Sequence, residues 1–119
     1  EREFLRGAGV VAVLKLLERG EMYGYELVEA LERRTDGVLA MGQSTLYPML
    51  YNLEAQGFIE GEWREPGPHE GGKARKYYRL TGKGRKRLES DAAQFQRLAA
   101  ALTHLGIIVP AQAPAPGGA

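Results

Sequence analysis

The sequence predicts a mainly α fold with one small β-hairpin and a long C-terminal helix. Three observations predict it. Apolar residues recur at helical spacing in four separate stretches of the 119-residue chain. Between the third and fourth stretch, two strand-like runs flank Glu65-Pro66-Gly67-Pro68-His69-Glu70-Gly71-Gly72-Lys73, which has the composition of a hairpin tip. The last stretch is far longer than a domain of this size can cover by itself.

The first helix is expected over Leu5 to Arg19, with Val10, Val11, Val13, Leu14, Leu16 and Leu17 on a wide apolar face and Gly20 as its C-cap. That face is broader than a small domain needs, so part of it is expected to pack on another subunit. A second helix spans Tyr23 to Arg34, buried through Tyr25, Leu27, Val28 and Leu31, and ends at Thr35-Asp36-Gly37. The third begins with Ser44 as N-cap and buries Leu46, Met49, Leu50 and Leu53, spaced i, i+3, i+4, i+7. Pro48 falls near the end of its first turn, where a missing N–H costs little. Gly57 closes this helix, and strands follow over Phe58 to Arg64 and Ala74 to Leu80. Tyr78 and Leu80 alternate inward, Tyr77 outward, and Trp63 packs at the hairpin base; Tyr25 and Tyr78 are expected in the core. Thr81 caps a helix from Gly82 to about Leu105, and residues 107–119 form a disordered tail.

The third helix has an unusual second face. Thr45, Tyr47, Tyr51 and Asn52 are polar or aromatic and uncharged, where a solvated face would carry Lys and Glu. Hydroxyls, an amide and two tyrosines suit phosphates and base edges. The net charge of +1 hides a division. Residues 1–63 hold six basic and eleven acidic side chains (−5), residues 64–87 nine and two (+7), and residues 88–119 one and two (−1). Positive charge gathered in one segment points to a polyanion, the bland alternative being a solvated basic loop. A polar helix followed by a basic hairpin describes a winged helix-turn-helix binding double-stranded DNA.

Leu88, Ala92, Phe95, Ala99, Leu102 and Gly106 follow one another at spacings of four and three, a heptad seam that Leu98 and Leu105 widen. The economical partner for such a seam is a second copy of the chain. The alternative is that the first helix of the same subunit covers it.

Tyr23-Gly24-Tyr25-Glu26-Leu27, Ser44-Thr45-Leu46-Tyr47-Pro48 and Arg75-Lys76-Tyr77-Tyr78-Arg79-Leu80-Thr81, in that order and spacing, resemble the signature blocks of the PadR family of bacterial transcriptional regulators. The resemblance runs from about Leu5 to Leu105, and the single C-terminal helix is similar to the smaller subfamily. It implies a homodimeric repressor with residues 1–81 as a winged helix-turn-helix, recognition helix about 44–56, wing about 58–80, and residues 82–106 as a dimerisation helix. By that resemblance Gln43, Ser44, Thr45, Tyr47, Pro48, Tyr51 and Asn52 meet the DNA. Lys73, Arg75, Lys76 and Tyr77 contribute from the wing, and Leu88, Ala92, Phe95, Leu98, Ala99, Leu102 and Leu105 form the dimer contact. Ser44 and Tyr47, near the helix start, suit phosphate oxygens; Gln43, Thr45 and Asn52 suit bases. Lys83, Arg85, Lys86 and Arg87 either add affinity or are simply solvated. Many relatives carry a basic residue at the position of Asn52, so one phosphate contact is expected to be missing. Some relatives bind planar drugs through a tryptophan between paired C-terminal helices. Here the only tryptophan, Trp63, lies on a wing strand, so that pocket is not expected. The resemblance leaves room for another small-molecule effector.

An enzyme is not expected. His69 and His104 lack local partners and metal spacing, and no phosphate loop or nucleophile elbow is present. Without cysteine there are no disulfides or thiolate ligands, and neither cofactor nor metal is expected. No apolar run approaches the ~18 residues of a membrane span, and no signal peptide is read at the start, so a cytoplasmic protein is expected. A different class of function competes: a winged helix can be a protein-docking module that does not touch DNA. Such a module would expose large apolar residues on the same face.

Overall fold

The computed structural model describes residues 2–109. Its elements are α1 (Arg2–Glu18), β1 (Met22–Tyr23), α2 (Gly24–Arg34), α3 (Gln43–Ala55), β2 (Ile59–Arg64), β3 (Arg75–Leu80) and α4 (Gly82–His104). The three strands form an antiparallel sheet in the order β1-β3-β2. Four helices and this small sheet are the mainly α, winged helix-turn-helix fold that the sequence predicts.

The core draws on every helix. Val13, Leu14 and Leu17 of α1, Leu27 and Leu31 of α2, Leu46, Leu50 and Leu53 of α3, and Ile59 of β2 are buried together. Each helix contributes residues three or four apart, so each presents one stripe inward. Thr81 caps α4 as expected, its hydroxyl accepting from the Gly84 amide at 3.0 Å. Gly57 takes φ +83, the left-handed conformation that ends α3 and turns the chain into β2.

Several expectations are corrected. Tyr23, expected in the second helix, belongs to β1 and pairs with Tyr77; a two-residue strand is too short to leave a periodic signal. Its amide is held by the Glu26 carboxylate at 3.0 Å, which starts α2 one residue later. Ser44 is not the N-cap of α3. Gly42 holds that position, and its carbonyl accepts from the amides of Thr45 and Leu46. Pro48 therefore lies beyond the first turn, where its missing N–H leaves the Ser44 carbonyl without a helical donor.

Tyr25 is 46% exposed rather than core, because it sits about 200° around α2 from Leu27. Trp63 is 67% exposed rather than packed at the hairpin base. It lies four residues beyond Ile59, opposite Lys76 on β3. Leu88 is 4% exposed and sits in the core of its own subunit, so the apolar seam of α4 starts only at Ala92. Residues 110–119 of the expected tail lie outside the described residues. Ile107 and Ile108 continue from α4 in an ordered turn.

The radius of gyration is 17.4 Å, against roughly 13.5 Å for a compact chain of this length. The difference comes from α4, whose 23 residues run about 34 Å. Its first turns lie against the core, whereas Leu98, Ala99 and Leu105 are exposed.

Candidate nucleic-acid interface

With Leu46, Leu50 and Leu53 facing inward, a rotation of about 100° per residue sets Ser44, Pro48, Tyr51 and Ala55 along the opposite ridge. All four are exposed. Tyr47 lies on the flank toward the sheet, and Thr45 and Asn52 lie on the flank toward α1; these are exposed too, as is Gln43 at the helix start. The seven α3 residues named from the sequence thus share one accessible surface. Ala55 joins the ridge and was not anticipated, since a small residue carries no chemical signal. Its lack of bulk leaves room for a close approach. Tyr47 rests against Gly24, where an added Cβ would fall 2.6 Å from its ring. Gly24 is therefore what lets α2 approach the Tyr47 ring.

The hairpin has two chemically different faces. Cross-strand partners share a face, so Ile59–Leu80, Gly61–Tyr78 and Trp63–Lys76 form the inner one. Glu60–Arg79, Glu62–Tyr77 and Arg64–Arg75 form the outer one. On the inner face the Glu54 carboxylate, from the last turn of α3, accepts from Lys76 Nζ at 2.7 Å and from the Gly61 amide at 3.2 Å. One side chain thereby ties the helix to both strands of the wing. This hydrogen bond raises the Lys76 pKa above its ordinary value. Burial raises that of Tyr78 beside it.

On the outer face Arg64 makes a two-pronged bond to Glu21, at 2.7 and 2.8 Å, and stands 4.6 Å over the Tyr77 ring. Hydrogen bonding from Arg64 holds the Glu21 carboxyl below its ordinary range. Arg75 stands 4.6 Å over Tyr23, whose ring meets Tyr77 edge-on at 5.4 Å.

The four wing residues named from the sequence are consequently not one patch. Lys76 is on the inner face, Arg75 and Tyr77 on the outer face, and Lys73 at the exposed tip. Tyr77 is half-buried, its ring edge-on to Tyr23 and beneath Arg64. Much of the basic charge is also engaged: Arg64 with Glu21 and Glu62, Lys76 with Glu54, Arg79 with Glu60, and Arg87 with Asp91. Lys73, Arg75, Lys83, Arg85 and Lys86 have no ion pair among the described residues. No group of three or more His, Asp or Glu able to hold a metal occurs among the described residues, and no described helix is long and apolar enough to cross a membrane.

An exposed, uncharged helix beside a stiffened basic wing is the arrangement of a DNA-reading winged helix, and residues 13–90 match the family model of the transcriptional regulator PadR-like family. The chain belongs to the PadR-like family of transcriptional regulators. A transcriptional regulator of Mycobacterium tuberculosis is 36% identical over 98 residues, covering 82% of this chain and 85% of its own. The crystal structure of a PadR family transcriptional regulator from Eggerthella lenta superposes with a TM-score of 0.73. It is 37% identical and covers 87% of this chain and 85% of its own. A Streptococcus transcriptional regulator superposes at 0.74 with 32% identity, covering 89% of this chain and 99% of its own. The PadR resemblance read from the three sequence blocks is thus the family itself.

Proposed function

We propose that this PadR-like regulator is a homodimeric repressor that reads a near-palindromic operator through two α3 helices in successive major grooves. The single observation that carries this reading is the exposed face of α3, where Gln43, Ser44, Thr45, Tyr47, Pro48, Tyr51 and Asn52 offer hydrogen-bonding and aromatic groups without charge. Gln43, Thr45 and Asn52 suit base edges, Ser44 and Tyr47 suit phosphate oxygens near the helix start, and cations elsewhere add to the positioning on phosphate. Lys73, Arg75 and the Lys83–Lys86 turn supply those cations, while Glu54 holds the wing at a set angle to the reading helix. Trp63 stands on the inner face next to Lys76 and extends the same surface toward the sugar–phosphate wall.

The dimer contact runs along Ala92, Phe95, Leu98, Ala99 and Leu102 of α4 and its C-cap residue Leu105. The exposure of Leu98 and Leu105 at 41% and 73% supports it. Any effector of such a dimer would act by changing the angle between the paired α4 helices, and with it the spacing of the two reading heads. Hydroxyl-radical footprinting on DNA upstream of the protein's own gene tests the arrangement. Two protected half-sites about one helical turn apart, ~34 Å, are expected; a single protected half-site would overturn the dimeric reading.

A protein-docking role is favoured by one observation, the exposure of Tyr51 and Trp63 at 73% and 67%. The two roles separate by salt. DNA binding weakens steeply with salt through counterion release, whereas an aromatic docking contact does not.

A further inference from the structure

Trp63 is the only tryptophan of the chain, and it is 67% exposed. The two residues before it on the inner face of the hairpin are taken up by the fold. Ile59 is buried in the core, and Gly61 donates its amide to the Glu54 carboxylate at 3.2 Å. Trp63 follows on the same face, because side chains alternate along a strand. It therefore stands two residues, about 7 Å, beyond the point at which α3 and the wing are tied together. Most of its ring is left to solvent.

The ring is exposed but placed. Lys76, its cross-strand partner, holds Nζ 6.0 Å from the indole centroid and 5.5 Å from that of Tyr78. The same ammonium donates to Glu54 at 2.7 Å. The contacts Glu54–Lys76–Trp63 thus refer the indole to the last turn of the reading helix. While Lys76 stays on Glu54, the outer part of this face offers a partner an apolar plane rather than a free cation.

The chemistry of a DNA backbone says what such a plane meets. Phosphates of one strand follow one another every ~3.4 Å, so the offset of Trp63 corresponds to about two nucleotides. With α3 in the major groove, the backbone wall at the edge of the half-site lies there. Its phosphates are charged and its deoxyribose faces are apolar. Lys73 and Arg75, which have no ion pair among the described residues, suit the phosphates; a flat indole suits the sugars.

We infer that Trp63 is a DNA-positioning residue whose ring packs on deoxyribose at the edge of the half-site, outside the bases that α3 reads. This rests on the DNA-binding reading above and adds a contact of a different kind. Packing on a sugar releases no counterion, so it supplies affinity that salt does not screen. It also requires a sugar without a 2′-hydroxyl. A ribose would set a polar group under the indole, where it loses its water.

A duplex selected by the wild-type protein from a random library is labelled and titrated by anisotropy over a range of salt. Wild type, Trp63→Phe and Trp63→Ala are compared, and tryptophan emission, which reports Trp63 alone, is followed for wild type. The sugar contact predicts that emission changes on binding. Trp63→Ala should bind roughly tenfold more weakly, as on truncating a buried aromatic anchor, with the salt slope of wild type. Trp63→Phe should recover part of that loss. Single ribonucleotides at the half-site edges should weaken wild type severalfold and leave Trp63→Ala unaffected. Binding with unchanged emission, a ribose effect equal in both proteins, or a lower salt slope in Trp63→Ala overturns the contact and keeps the DNA reading. A wild-type protein that selects no duplex overturns the DNA reading itself, and the contact with it.

Discussion

At the scale of single residues, the wing is organised by partners that lie far away in sequence. Lys76 meets Glu54, 22 positions earlier, and Arg64 meets Glu21, 43 positions earlier. For this reason the basic segment was legible in the sequence as a charge excess, while the division of that charge into engaged and free cations was not. The two kinds behave differently in binding. Lys73→Ala removes a free, exposed cation and is expected to lower the slope of log affinity against log salt by about 0.9. Lys76→Ala should change that slope less and should lower the melting temperature, because Glu54 loses its partner; equal slope changes would show that Lys76 leaves Glu54 for DNA. The Glu21 pair carries a pH dependence. Its folded pKa is depressed, so the stability it adds is present above the unfolded value and is lost as pH falls through the folded one. Melting curves should therefore show wild type ahead of Glu21→Gln at neutral pH and the two converging in acid. A gap that persists through the acid range would contradict this assignment.

At the scale of elements, the four helices and both long strands were legible because each carries several turns or alternations of apolar residues. Leu46, Leu50 and Leu53 are buried as their spacing requires. The two-residue strand β1 escaped because it exists only through its pairing with β3. Trp63 and Tyr25 were misplaced because apolar character says that a residue favours burial, not that a neighbour arrives to bury it. The joint between wing and α4 was legible only as the Thr81 cap. The structure adds Gly84, which is buried and packs so closely that an added Cβ would overlap the Phe58 carbonyl oxygen. Backbone cannot swing aside as a side chain does. Gly84→Ala is therefore expected to cost about 1–3 kcal/mol and to tilt α4 on the wing, measured by denaturant unfolding. A change below about 0.5 kcal/mol would mean that the joint is loose. Leu50→Ala, at a fully buried position of α3, gives the reference for a pure core loss, about 2–5 kcal/mol.

At the scale of the whole molecule, the sequence foretold a helix too long for its domain, and the described chain is extended accordingly. What the seam could not reveal was where intramolecular packing stops, since Leu88 and Leu102 look alike along the heptads. Leu88 is buried by its own subunit and Leu102 is only half-buried. Leu102→Asp is accordingly expected to yield a folded monomer in sedimentation, with operator affinity reduced at least tenfold; a variant that remains dimeric would place the interface elsewhere. The central claim, a sequence-specific DNA-binding regulator, is tested most directly by fluorescence anisotropy against DNA from upstream of the protein's own gene and against a scrambled duplex, each over a range of salt. The account predicts binding to the native duplex at least ~10³-fold tighter than to the scramble, falling steeply with salt. No binding to either duplex at low salt would contradict it and favour a protein-docking role for the same surface.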